Sequence, residues 1–178
     1  MSIRRLVVGN KNGQSVLLDD APVPRQHDYQ HIPGFSTALI WATSANPTLA
    51  DGFNDPINEQ TSFVPGPGES RLMIVSFPPD SIYATPDFDF AKAGTEQVEH
   101  LTGLAQAFDP EHPGMHVTSS IDYAILLEGS LSLELDNGEI RTLKPHDVVI
   151  QQGNVHAWRN SNDAPAIIVF ILIGALRG

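Results

Sequence analysis

The chain has 178 residues, 41% of them apolar and 17% charged, with a formal net charge of −11. It contains no cysteine, which excludes disulfides, thiolate metal sites and a cysteine nucleophile. No basic run or stripe supplies the local positive charge that nucleic acid or an anionic membrane would require.

The 14 glycines and 14 prolines imply many turns, and so strands and loops rather than a helix bundle. The first residues, MSIRRLVVGNKNG, hold no apolar run of signal-peptide length, and the run from Ala164 to Leu176 is too short to span a bilayer. The expected location is cytoplasmic. Arg4 to Gly9 reads as a strand, Asn10 to Gly13 as a tight turn with Asn-Gly suited to positive φ, and Gln14 to Leu18 as the returning strand. Ala21 to Gly34 carries three prolines and reads as a loop. Phe35 to Thr43 is an apolar strand. Ser44 to Ser70 is rich in Asn, Pro, Gly and Asp: a lid, a covering arm, or a loop holding a short strand near Ser62–Val64. Arg71 to Phe77 alternates as a strand, and Pro78-Pro79 stops it. Asp87 to Ala107 is the helical region, with Thr95 as a candidate N-cap and Val98, Leu101, Leu104 and Ala105 along one face.

From Gly114 onward every element reads as a short strand. These are His116–Thr118, Asp122–Leu127, Ser130–Leu135, Glu139–Leu143, Val148–Gln151, Val155–Asn160 and Ile167–Ile173, with a hairpin turn at Asp136–Gly138. This spacing of strands and turns predicts an antiparallel barrel or sandwich. Side chains alternate along a strand. His116 and Thr118 therefore share one face, Asp122, Ala124 and Leu126 another, and His156, Trp158 and Asn160 a third. If the strands curl into one barrel, the two histidines meet in one cavity with Asp122 between them.

This C-terminal segment resembles the two motifs of the cupin superfamily. His116 matches the first motif's first histidine, and Gly129 falls where that motif ends. Gly153, His156 and Asn160 match the second motif at its spacing. Thr118 stands where the motif has its second histidine, Asp122 replaces glutamate, Gln151 replaces proline and His146 occupies a turn glycine.

The resemblance implies an all-β fold, a cupin-like antiparallel β-barrel of jelly-roll topology. The expected organisation is a single domain over residues 1–178, with an N-terminal strand and loop elaboration (1–110) carrying a short helical segment and the core motifs in 111–178. Three chemistries stay open for its pocket. The first is acid–base catalysis by His116 and His156, with Asp122 orienting an imidazole, giving dehydration, isomerisation, cyclisation or decarboxylation. The second is a metal-dependent oxygenase or decarboxylase, with His116, Asp122 and His156 holding one divalent ion (Fe, Mn, Ni or Zn). The third is a non-catalytic small-ligand binder. Trp158, Thr118, Trp41, Leu126 and Arg71 are the candidate substrate contacts for a hydrophobic, aromatic or polyketide-like metabolite, such as those of secondary metabolism. The resemblance also implies a homodimer, with the Arg4–Leu18 hairpin as its contact.

Overall fold

The computed structural model describes residues 2–58 and 61–178. Its first element is a separate two-stranded sheet, β1 (Arg4–Lys11) and β2 (Gln14–Pro22). The turn between them is Asn12-Gly13, both with positive φ (53° and 77°), the geometry that matches strand twist and selects Asn-Gly. Leu6, Val8 and Leu17 of this hairpin are exposed.

The body is two facing antiparallel sheets. The larger has six strands in the order β3 (Arg25–Asp28), β4 (Ser36–Thr43), β5 (Ser70–Phe77), β11 (Ala166–Gly174), β6 (Ser120–Glu128) and β9 (Val148–Gln152). The smaller orders β10 (His156–Arg159), β7 (Leu131–Leu135) and β8 (Ile140–Leu143). Strict alternation in β11 sends Ile168, Phe170 and Leu172 inward. Trp158 of the small sheet meets Phe170 of the large one at 5.4 Å between ring centroids, so the two inner faces interlock. The fold is the expected all-β antiparallel jelly-roll barrel.

Four elements differ from the sequence reading, the first being His116–Thr118, which is not a strand but a single isolated bridge at His116. The Ala21–Gly34 region contains β3, a four-residue edge strand paired to β4; prolines flank it but lie outside the paired residues. In the described part of the 44–70 segment no strand forms before Ser70, the first residue of β5. Phe63 is instead packed into the main core, its amide donating to the Thr102 carbonyl at 2.9 Å. The helix α1 spans Phe90–His100 and is capped by Asp89, whose Oδ1 accepts from the Ala91 and Lys92 amides. Thr95 lies inside it, donating to the Ala91 carbonyl. The inward residues of α1 are Ala93 and Glu96, with Leu101 just beyond, while Val98 points to solvent. Glu96 is buried because its carboxylate accepts from the Gln30 and His31 amides and from His27, which ties α1 to β3. His27 also stacks on His100 at 3.5 Å.

A bulge in β4 decides where one aromatic goes. Leu39 pairs with Met73 and Trp41 with Leu72, which leaves Ile40 as the extra residue. Alternation is interrupted there, so Thr37 faces the barrel interior while Trp41 faces outward. On that outer face the register sets Trp41, Leu72, Ile171, Tyr123 and Ile150 side by side across five strands. At the β6–β9 end of this face Val148 and Ile150 are 56% and 55% exposed.

Candidate functional site

Between the two sheets lies a cavity of about 560 Å³. Its walls are aromatic: Phe35 and Phe77 from the β4–β5 side, Tyr83, Phe88 and Phe90 from the connection into α1, and Phe108, Trp158 and Phe170 opposite. Ala93, Gly94, Gln97 and Leu101 of the α1 region close one side. The cavity's polar lining includes His116, His156, Thr118, Asp122 and Gln151, and also Thr37, Asp80 and Arg159.

The backbone brings the histidines together. His116 and His156 form an isolated antiparallel bridge, each amide donating to the other's carbonyl at 2.9 and 3.1 Å. Such directly opposed residues project from the same face, and the imidazole centroids are 4.3 Å apart. Each ring is oriented by its own neighbourhood. His116 Nδ1 donates to the Gly114 carbonyl (3.0 Å) and His156 Nδ1 to the Asn154 carbonyl (3.1 Å). A carbonyl only accepts, so the proton of each neutral ring is on Nδ1 and the lone pair is on Nε2. Burial lowers the affinity of both rings for a proton. His156, which also feels the neighbouring His116, is pushed down to about 4. At neutral pH both rings are bases without charge.

The expectation that Asp122 orients an imidazole is corrected. Its Oδ1 accepts from Ser120 Oγ (2.6 Å) and its Oδ2 from Thr118 Oγ1 (3.5 Å), while Ser120 Oγ also lies 2.8 Å from Thr118 Oγ1. Burial pushes this carboxyl up, against the two hydroxyls that favour its ionised form. The metal set His116–Asp122–His156 does not assemble either. Among the described residues no three His, Cys, Asp or Glu side chains gather at ligating distance. Two imidazoles with Nδ1 anchored on carbonyls are well posed as ligands, but the short Asp122 side chain is committed to Ser120 and Thr118 and supplies no third donor. The donor set does not fit a resident metal, and no chemical step is routed through one.

Of the other candidate residues, Thr118 and Trp158 line the cavity. Trp41 does not: the β4 bulge turns it outward, where it stacks on Phe53 beneath the Arg5 guanidinium. Leu126 faces inward but is fully buried in the core, away from the cavity wall. Arg71 is a structural cation. Its guanidinium donates to the Ser62 and Ser70 carbonyls (both 2.7 Å) and to Glu69 (2.6 Å), outside the cavity. Arg159 lies at the cavity edge and pairs with Glu134. The Asn160 amide donates to the Phe77 and Ala164 carbonyls, tying the end of β10 to that of β5.

The aromatic wall from Tyr83 to Phe90 escaped the sequence reading. Its signal was the Phe-Asp-Phe run at 88–90, which the sequence places inside the helical region Asp87–Ala107 and the structure places at the entry to α1.

No family profile matches the chain. It is 48% identical over 62 residues to the phomopsin biosynthesis cluster protein D of Diaporthe leptostromiformis, covering 34% of this chain and 33% of that protein. It is 31% identical over 104 residues to the cupin-domain-containing oxidoreductase fogC of Aspergillus ruber, covering 53% and 50%. The chain thus spans half or less of the length of these two curated relatives. Among solved structures, the cupin domain of an XRE-family transcriptional regulator from Enterobacter cloacae aligns with TM-score 0.36 at 18% identity, covering 61% of this chain and 83% of that one.

Proposed function

We propose that this chain, a small protein of the cupin superfamily, is an enzyme of metabolite biosynthesis that moves protons on a hydrophobic, aromatic or polyketide-like substrate. The observation that carries the reading is the pair of uncharged imidazoles, 4.3 Å apart, at the polar end of an aromatic-walled cavity. Two relatives bearing the names of biosynthesis clusters, for phomopsin and for oryzines, support the metabolic setting.

The chemistry is redox-neutral and uses only groups of the chain. Nε2 of one imidazole takes a proton from carbon next to a carbonyl, and the electron pair moves into the carbonyl to give an enolate. The imidazolium so formed lies against a second imidazole in a buried site, which makes it a strong acid. It returns the proton to another atom of the substrate, which isomerises it, or to a leaving hydroxyl, which dehydrates it. The Tyr83 phenol, held protonated by burial with its pKa pushed up to about 12, is a neutral donor on the same wall.

Proton exchange in deuterium oxide tests this without knowledge of the natural substrate. With 2-tetralone, an enolisable aryl-fused ketone, the protein is expected to accelerate replacement of the α-hydrogens, and His116→Gln and His156→Gln each to remove the acceleration. Binding of 2-tetralone with no acceleration would make the protein a ligand carrier instead.

We also propose that two copies pair, with the Arg4–Lys11 and Gln14–Pro22 hairpin of each lying over the outer β6–β9 face of the other. Leu6, Val8 and Leu17 on one side and Ile121, Tyr123, Val148 and Ile150 on the other are exposed apolar groups that a second copy would cover. Val8→Glu combined with Leu17→Glu is expected to convert a dimer to a monomer in sedimentation. A monomeric parent, or an unchanged dimer in the variant, contradicts the pairing.

A further inference from the structure

The least explained polar group in the cavity is Gln151. It lies on β9 directly across from Asp122 of β6, is 2% exposed and lines the cavity. Neither its Oε1 nor its Nε2 meets a protein partner. The neighbouring polar groups are satisfied without it, since Ser120, Thr118 and Asp122 bond one another. A buried carboxamide with both ends unpaired is costly, and an apolar side chain of the same size would avoid that cost.

We propose that Gln151 is the specificity-determining residue of the cavity and reads a lactam or carboxamide edge on the ligand. A primary amide presents a donor and an acceptor side by side. The group that satisfies both at once has a carbonyl next to an N–H, and the two amides then close a two-point ring of hydrogen bonds. The remaining wall is mostly aromatic and aliphatic, with Thr37, Asp80, Gln97 and Arg159 as its other polar groups, so the ligand is a largely apolar molecule with one such edge. A ligand that lacks the edge leaves the carboxamide unpaired in a dry site, and this rejects it more strongly than any loss of apolar contact.

The proposal rests on the cavity being the ligand site, and the test separates the two. Three probes of nearly equal shape are used with the full chain: 2-quinolone, which has the edge; N-methyl-2-quinolone, which keeps only the acceptor; and naphthalene, which has neither. Calorimetry is expected to show 2-quinolone binding at least tenfold tighter than the other two. In Gln151→Leu the 2-quinolone affinity falls at least tenfold, naphthalene binds as well or better, and the melting temperature stays level or rises. Gln151→Met gives the same reading should Gln151→Leu not fold. If naphthalene and 2-quinolone bind the parent equally, or if the preference survives both substitutions, Gln151 does not read the ligand. If none of the three binds the parent, the cavity reading falls, and this proposal with it.

Discussion

Lowering the pH from 7 to 4.5 should cost this protein roughly 2–3 kcal/mol of stability through His156 alone. The sign follows from its two states. Unfolded, the ring titrates at its ordinary 6.5; folded, burial and the adjacent His116 hold it to about 4. The unfolded chain therefore binds the extra proton first, and stability drains as pH falls through 6.5 towards 4. His116 is lowered as well and acts in the same direction. Asp122, whose carboxyl is raised by burial, runs the opposite way, because protonation relieves it in the folded state. Glu96 is buried too, which alone would raise it, but the Gln30 and His31 amides and His27 outweigh burial and hold it below its ordinary 4.5, so its contribution is lost only at still lower pH. The difference between parent and His156→Gln isolates the histidine. Urea titrations at pH 7 and 4.5 should give the parent a loss about 2–3 kcal/mol larger than the variant's, or some 5–10 °C in melting temperature. Parallel losses would mean that the His156 ring is not held neutral.

Phe63→Ala is expected to be more damaging still. Phe63 is 1% exposed and is packed into the main core from the long connection between β4 and β5, with the Arg25 guanidinium 4.9 Å from its ring centroid. Removing a buried phenyl costs about 3–5 kcal/mol, on the order of 10 °C in a chain of this size. That connection is also held by the buried Ile57, by Phe53 stacked on Trp41, and by polar ties: Arg5 to Asp55, Asn12 to Asp51, Arg71 to Glu69, and the Gly68 amide to the Gly174 carbonyl. Gly174 fits there because a β-carbon would collide with the Gly66 carbonyl. With Phe63 gone, Ile57 is left as the buried apolar side chain holding the described part of the segment, which should become the first site of limited proteolysis. A variant that melts lower but is cleaved elsewhere would assign Phe63 to the core and not to the tether.

The C-terminal half was legible in the sequence because its determinants are local. The long strands β6 and β11 alternate, the turns between strands carry turn residues, and the observed limits from Ser120 onward fall within two residues of those read. His146 shows how far this goes: it stands where the resembling motif has glycine, and its φ is 77°. The cavity position of His116, His156, Thr118 and Trp158 followed from the same alternation. What failed depended on information that no single strand carries. β3 is four residues long between prolines and exists because β4 offers it an edge. Asp89, not Thr95, caps the helix because the chain enters it from the Tyr83–Phe90 aromatic wall. Arg71 and Asp122 were read as free to serve a ligand or a metal, whereas neighbouring carbonyls, Glu69 and two hydroxyls had already claimed them.

The bulge at Ile40 has a meaning for capacity. With even alternation along β4, the Trp41 indole would fall on the interior side with Thr37 and Leu39, at the wall that now carries Met73. One surplus residue sends that bulk outside, so the chamber's size is set by a count of backbone units as much as by the choice of side chains. Deleting Ile40 is thus a way to shrink the chamber without altering any group that lines it.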